Sequence, residues 1–438
     1  MTDAIRDNAH ATAAPQRQSG RAAFGAFVGT AIEWYDFFIY ATASALVFGH
    51  VFFPNTSDFI GTLASFATFA IGFFARPLGG IIFGHLGDKL GRKKSLVITL
   101  LMMGICTLLI GLLPGYNEWG YFAPIALVLL RIVQGIAVGG EWGGAVLIAG
   151  EHAPKGWRTF FSSFAQMGSP AGAIMAVLAF RYVSGMEETA FLDWGWRIPF
   201  LASAVLLVIG YCIRVGVSES PEFQEMQQRQ AQRREHSAPI AQLFRHAKLP
   251  LVAAILANAI TVASFYFTNT FMIAYATQYL SLSRVQILDG LFVTAIVQLL
   301  WNPVAALIAQ AVGTMRFLVL IGIGAMAAPF IMFTLVGTGE AALIATGLSM
   351  NALFAGGFYA VIAGYMSEAF PADYRYSGIS LAYQVAGAVF GGATPFLGTI
   401  LAAQFVGQWW PMALFYASLA ALSVVGVLML NHLARTRR

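Results

Sequence analysis

Apolar residues run along this chain in blocks of twenty or more, divided by short polar breaks. Blocks of that length match the about 20 helical residues needed to cross a hydrocarbon core of about 30 Å. The pattern predicts twelve membrane-spanning helices, over 23–50, 59–84, 95–113, 121–147, 160–183, 195–216, 250–279, 287–311, 317–337, 341–365, 377–401 and 411–432. The one long polar stretch between blocks, 217–249, falls halfway and divides the spans six and six. Within it, Ser220-Pro221-Glu222 reads as a helix start, with Ser as cap and Pro in the first helical position.

Composition sharpens the reading. The chain is 58% hydrophobic and 10% charged, against about 25% charged in an ordinary soluble domain. With Arg214, at the inner end of span six, counted with the cytoplasmic rim, all but five of the 25 Lys and Arg residues fall in the amino terminus, the even-to-odd breaks, the central stretch and the carboxyl tail. Flanking cations are retained on the cytoplasmic side, so both termini are expected there. The net charge of +5 needs no nucleic-acid partner to explain it. Arg181, Arg197 and Arg284 fall at the outer face, where Trp119, Tyr121, Trp194, Trp196, Trp409 and Trp410 read as an interfacial aromatic belt. The apolar run after the first 22 residues is too long for a secretory signal and reads as an uncleaved span. Cys106 and Cys212 both lie inside spans, so neither a disulfide framework nor a Cys metal site is expected. The phosphate-loop pattern G-x-x-x-x-G-K-[ST] does not occur. No cofactor is expected.

Between the second and third spans stands Gly84-His85-Leu86-Gly87-Asp88-Lys89-Leu90-Gly91-Arg92-Lys93-Lys94. It reads as a tight cytoplasmic hairpin, with Gly87 and Gly91 free to adopt positive φ and Asp88 able to cap the next helix or pair with Arg92. The spacing G-x-x-x-D-x-x-G-R-K-K at this place resembles the signature loop of the major facilitator superfamily. The halves also repeat. Glu151-His-Ala-Pro154-Lys-Gly-Trp-Arg158 after span four and Glu368-Ala-Phe-Pro371-Ala-Asp-Tyr-Arg375 after span ten both read E-x-x-P-x-x-x-R. The counterpart of the signature loop in the second half, Ala309 to Arg316, keeps Gly313 but has Gln310 for the acid and a single cation. Further stretches narrow the match: Glu33-Trp34-Tyr35-Asp36-Phe37, Arg76-Pro77-Leu78-Gly79-Gly80, Arg131-x-x-Gln134-Gly135, Gly139-Gly140-Glu141-Trp142-Gly143-Gly144 and Trp194-Gly195-Trp196-Arg197-Ile198-Pro199-Phe200. Together these are similar to the metabolite:proton symporter family.

That resemblance implies an all-α membrane protein of twelve transmembrane helices in two pseudo-symmetric six-helix bundles. The expected organisation is a cytoplasmic tail over 1–22, a first bundle over 23–216, a cytoplasmic linker over 217–249, a second bundle over 250–432 and a tail over 433–438. It also implies proton-coupled import of a small organic acid or zwitterion by alternating access, by a monomer in the bacterial inner membrane. The expected partners are the substrate, the proton and the lipid bilayer. An inner gate of Asp88, Arg92, Glu151, Arg158, Glu368 and Arg375 follows from the loop and the repeat. A uniporter or exchanger of the same substrates and a transporter-like receptor are the competing readings. A membrane enzyme is not expected, because no nucleophile–base or metal constellation falls in the spans.

Ionisable groups inside spans cost about 2.5–3.5 kcal/mol each on insertion scales and are functional candidates by default. At 1.5 Å per residue, Asp36 lies roughly 20 Å and Glu33 roughly 15 Å from the inner end of span one, with Arg131 roughly 15 Å from the outer end of span four. All three fall near the midplane, so Arg131 is expected to reach Asp36 or Glu33 as a proton and substrate group. Arg76 and Glu141 fall lower and are expected to form a separate pair. The second half offers neutral donors instead: Asn258, Thr261, Ser264, Tyr266, Asn269, Thr270, Gln298, Asn302, Asn351, Tyr359 and Gln384. Such groups orient substrate hydroxyls or join helices in lipid. Helical spacing sets Tyr266, Asn269 and Thr270 on one face, and these with Gln384 complete the expected site.

Overall fold

A computed structural model describes residues 3–90, 92–139, 158–216, 243–245, 247–367, 369–370 and 375–436. Among these residues there are helices and no strands. The long helices, in order, are α1 (Asp3–Leu46), α2 (Asp58–Leu90), α3 (Arg92–Leu112), α4 (Phe122–Gly139), α5 (Arg158–Ser184), α6 (Arg197–Gly216), α7 (Lys248–Tyr279), α8 (Arg284–Val312), α9 (Thr314–Val336), α10 (Ala341–Ser367), α11 and α12 (Trp410–Thr436). Helix α11 runs without a break through Arg375–Ala386, Gly387–Gly392 and Ala393–Gln404. Ten helices of the described residues are long and apolar enough to cross a membrane, and α1 and α5 fill the two other span positions.

Helix α1 begins at Asp3, so helix also occupies residues expected to form a tail. The hairpin after α2 is tighter than its sequence suggested. Helix α2 continues to Leu90 and α3 starts at Arg92, so Gly87 is helical and does not turn the chain. Gly91 itself lies outside the described residues. In the second half Gly313 makes the corresponding turn, with φ 93 between α8 and α9, a conformation that suits glycine.

Within the first half α1 packs on α5, α2 on α4 and α3 on α6. Within the second, α8 and α9 pack on α10, and α7 and α9 on α12. The halves meet where α5 lies along α8, α2 along α11 and α1 along α7. One seam places the site. A Cβ on Gly79 would lie 1.9 Å from the Ile136 carbonyl oxygen, on Gly135 2.0 Å from that of Gly72, and on Gly139 1.9 Å from that of Arg76. The backbones of α2 and α4 therefore touch, as small residues four apart allow in lipid. That contact holds Arg76 and Arg131 on adjoining turns.

At the face opposite the termini, polar side chains join the halves. Arg181 of α5 pairs with Asp289 of α8, and Arg284 of α8 pairs with Glu188 just before α6, at 2.5 Å. Gln278 Nε2 of α7 donates to Thr62 Oγ1 of α2 at 2.7 Å. Arg197 instead donates within its own half, to the carbonyl oxygens of Gly111 and Leu113. Trp119, Trp194 and Trp410 are exposed here, as an interfacial belt requires, but Trp196 is fully buried. Its indole packs edge-on against Phe48, Phe52 and Phe200, so core packing claims it.

Candidate functional site: a buried guanidinium in an aromatic cage

The site is assembled from faces of three helices in the first half and one in the second. On α2, Phe66, Phe69, Phe73 and Arg76 recur at helical spacing and point one way. On α1, Phe37 and Tyr40 do the same. All six are buried. Arg131 of α4 projects between them at 1% exposure. Its guanidinium carbon lies 4.1 Å from the Tyr40 ring centroid, 4.5 Å from Phe37 and 5.0 Å from Phe69. Arg76 lies 4.1 Å from the Phe73 centroid and 4.4 Å from Phe37, so Phe37 stands between the two cations. From the second half Tyr266 closes the cage, its ring 4.8 Å from Phe73 and 5.2 Å from Phe69, with its hydroxyl toward Arg76. Cation–π contacts are worth about 0.5–2 kcal/mol each, more when dry, which makes burial of two guanidinium groups tolerable without a carboxylate beside each.

Arg131 does not pair with Asp36 or Glu33. Matched depth was not enough, because the two acids leave α1 in other directions. Arg131 Nη1 donates to Gln134 Oε1 at 3.2 Å, one turn along its own helix. Its Nε and Nη2 find no acceptor within the described residues. These two donors share the side of the guanidinium that suits a carboxylate fork. Gly72 makes room for the stem: a Cβ there would lie 2.6 Å from Arg131 Nε.

Asp36 is buried, with Oδ1 lacking a hydrogen-bond partner among the described residues. It faces Thr107 of α3. Glu33 takes a different neighbourhood, where Arg214 and Arg76 are the cations nearest it. Arg214, assigned to the cytoplasmic rim by sequence, instead reaches toward α1: its Nη2 would lie 3.4 Å from a Cβ on Gly29, and its Nη1 donates to the Leu96 carbonyl oxygen. Glu33, Arg76, Trp34, Phe37, Val138, Tyr383 and Gln384 line a crevice of about 10 Å³, the scale of one water molecule. Gln384 Nε2 donates across the halves to the Gly139 carbonyl oxygen at 3.3 Å.

Glu141 lies outside the described residues, and Arg76 meets Tyr266 and two rings and shares a crevice with Glu33. The expected gate also falls outside: Glu151 and Glu368 are not described, nor are the side chains of Asp88, Arg92, Arg158 and Arg375. Tyr266 and Asn269 part company. A π turn over Phe267–Phe271 follows Tyr266 directly and breaks the helical phase, and Asn269 donates to the Phe265 carbonyl oxygen of its own helix. Asn258 is likewise committed, to the Ala254 carbonyl oxygen and Met366 Sδ. Among the described residues, Asn302 Oδ1 and Nδ2, Thr270 Oγ1 and Asn351 Oδ1 are buried second-half atoms without a partner. Thr107 and Arg214 escaped the sequence reading. Arg131 and Gln134 at i, i+3 carried a local signal, whereas Thr107 meets them only through helix packing.

Comparison with known proteins agrees with this architecture. The model of the family "Sugar (and other) transporter" matches residues 22–238 and 222–431. The chain is 40% identical to the shikimate transporter of Escherichia coli (strain K12), over 94% of each chain. It is 33% identical to the proline/betaine transporter of the same organism, over 87% of this chain and 77% of that one. Among solved structures, the D-xylose-proton symporter superposes with a TM-score of 0.71 at 17% identity, covering 94% of this chain and 96% of that one. Two six-helix bundles and these relatives make the chain a multi-pass membrane transporter, not an enzyme, of the major facilitator superfamily and its sugar (and other) transporter family.

Proposed function

We propose that this transporter is a proton symporter that imports a small carboxylate-bearing metabolite, organic acid or zwitterion, across the bacterial inner membrane. It works as a monomer with both termini in the cytoplasm. The observation that carries the reading is the free edge of Arg131: two donors on one side of a guanidinium buried to 1% exposure. A buried cation with unmet donors is costly, and a substrate carboxylate matches that edge with two parallel bonds. Rings of Phe37, Tyr40 and Phe69 wall the cation and suit an apolar or ring-shaped substrate body. The 40% identity to a shikimate transporter supports a carboxylate of that size. Asp36, buried near the same level, is the proton carrier in this reading, ahead of Glu33, which has Arg76 and Arg214 for neighbours. A zwitterion carried with one proton moves one net charge, so a potential of 100 mV adds about 2.3 kcal/mol of driving force, whereas a monoanionic carboxylate carried with one proton moves none.

Counterflow into proteoliposomes tests it, with labelled shikimate, proline and glycine betaine and no imposed gradient. Shikimate or one of the zwitterions should exchange in the wild type. Arg131→Lys keeps the charge and loses the fork, so half-saturation should rise about 10- to 100-fold, the cost of roughly 1.5–3 kcal/mol in charge-assisted bonds. Unchanged half-saturation in Arg131→Lys would remove Arg131 from the substrate site.

A further inference from the structure

Arg131 and Asp36 do not touch, and two neutral side chains stand between them. Arg131 Nη1 donates to Gln134 Oε1 at 3.2 Å, and Gln134 Nε2 donates to Thr107 Oγ1 at 2.9 Å. Thr107 is the hydroxyl that Asp36 faces. Gln134 and Thr107 are fully buried and Asp36 nearly so. The amide orientation is fixed from both ends, because Arg131 can only donate and Thr107 already gives its proton to the Met103 carbonyl oxygen at 3.0 Å. Donation thus runs one way, from a full positive charge on α4 to a hydroxyl on α3 beside the acid on α1.

We propose that Gln134 and Thr107 are positioning residues that transmit the state of Arg131 to Asp36 and so tie substrate binding to proton uptake. The proposal rests on the reading of Asp36 as proton carrier given above. Thr107 has one proton and two acceptors to choose between, the Met103 carbonyl and the Asp36 carboxyl. When Asp36 is ionised the hydroxyl turns to it, since a bond to a charged acceptor is the stronger. Each bond in a directed chain polarises the next, so Arg131 strengthens Thr107 as a donor through Gln134. A substrate carboxylate on the Nε and Nη2 edge neutralises the cation and draws it from Gln134. Thr107 then donates more weakly, ionised Asp36 loses support, and it takes a proton from the open aqueous side. In the protonated state Thr107 returns to Met103 and the Asp36 hydroxyl donates to the lone pair left on Thr107. The transported proton never crosses the relay. It enters and leaves at Asp36, and the relay changes only hydrogen-bond partners.

The other charged and titratable groups near Asp36 are Glu33 and Tyr35 on α1, Arg76 on α2, Arg214 on α6 and Tyr266 on α7, the last three facing Glu33. A readout at Asp36 itself separates the relay from these. Infrared spectra of the purified protein are recorded as pH is scanned without substrate, and the carboxylic C=O band lost in Asp36→Asn is assigned to Asp36. Thr107→Val and Gln134→Met should each move the midpoint of that band to higher pH by about one unit, a tenfold change in proton affinity. Thr107→Ser, which keeps the hydroxyl, should restore the wild-type midpoint. The two disrupting variants lie on different helices, and either one, if folded, decides the matter. A midpoint unmoved in the folded variants overturns the relay and leaves Asp36 as carrier. If no band is lost in Asp36→Asn, the carrier assignment itself fails.

Discussion

Removing the polar links at the face opposite the termini should bias the transporter toward opening there. Three links join the halves: Arg181 to Asp289, Arg284 to Glu188, and Gln278 to Thr62. The side chains of the first pair are 48% and 45% exposed, those of the second 22% and 58%. Exposed pairs contribute about 0.2–1 kcal/mol each, and a neutral hydrogen bond about 1 kcal/mol. Together they supply at most about 3 kcal/mol, or roughly a hundredfold in population, short of the about 5.5 kcal/mol needed to carry a 1:99 mixture to 99:1. The latch therefore biases the equilibrium without locking it. Ser44, 1% exposed, lines a pocket of about 130 Å³ with Thr62 and Gln278, the partners of the third link. In a chain with Cys106 and Cys212 replaced by Ser, the thiol of Ser44→Cys reports opening through its labelling rate in detergent. Asp289→Asn should raise that rate up to about fivefold. Arg284→Gln should do the same, and the double variant should approach the product of the two. Salt at 1 M, where the screening length is about 3 Å, should reproduce part of the effect in the otherwise unaltered chain. The charge swap of Arg181→Asp with Asp289→Arg should restore slow labelling. Rates unchanged in every variant, with helical content intact, would refute the latch.

Two further outcomes are expected. Gly135→Ala and Gly139→Ala should each abolish or severely reduce folded protein in membranes, because the added methyl meets a carbonyl oxygen of α2 at about 2 Å. Gly185→Ala, where a Cβ would meet the Tyr182 carbonyl oxygen at an ordinary 3.6 Å, should leave yield unchanged, and equal loss in all three would dismiss the seam. Cysteines at Asn117 and Gln408 should react with an impermeant thiol reagent in intact cells while one at Gln228 does not, and labelling at Gln228 would reverse the orientation.

The span pattern was legible because hydrocarbon thickness sets a length that sequence must meet, and helix count, packing class and buried charges followed from it. Pairing was not legible. Depth along a helix gave Arg131, Asp36 and Glu33 nearly one level, but azimuth decides contact, and azimuth depends on how α1, α2 and α4 are clamped. The carbonyl-to-glycine seam performs that clamping, and its glycines read only as motif letters in the sequence. Trp196 was misjudged for a related reason. An indole at a span end suits the interface, yet Phe48 and Phe52 reach over it from the short helix after α1, and Phe200 from one turn along in α6. The break in phase after Tyr266 had no sequence mark, since a π turn differs from an α turn by one residue.

That extra residue makes the helices around the cage mechanically unlike. Helices α7 and α11 each carry a π turn inside the span, at Phe267–Phe271 and Gly387–Gly392, and both turns border the cage through Tyr266 and through Phe73, which packs on Gly392. A wide turn holds slack. Returning it to α geometry rotates everything beyond it by about 100° and shifts it by about 1.5 Å, the angle and rise of a single residue. Helices α2 and α4 have no such reserve, because carbonyl oxygens sit in the hollows of glycines and block any sliding. The cations thus ride on a stiff frame, while the compliance sits in the neutral helices opposite.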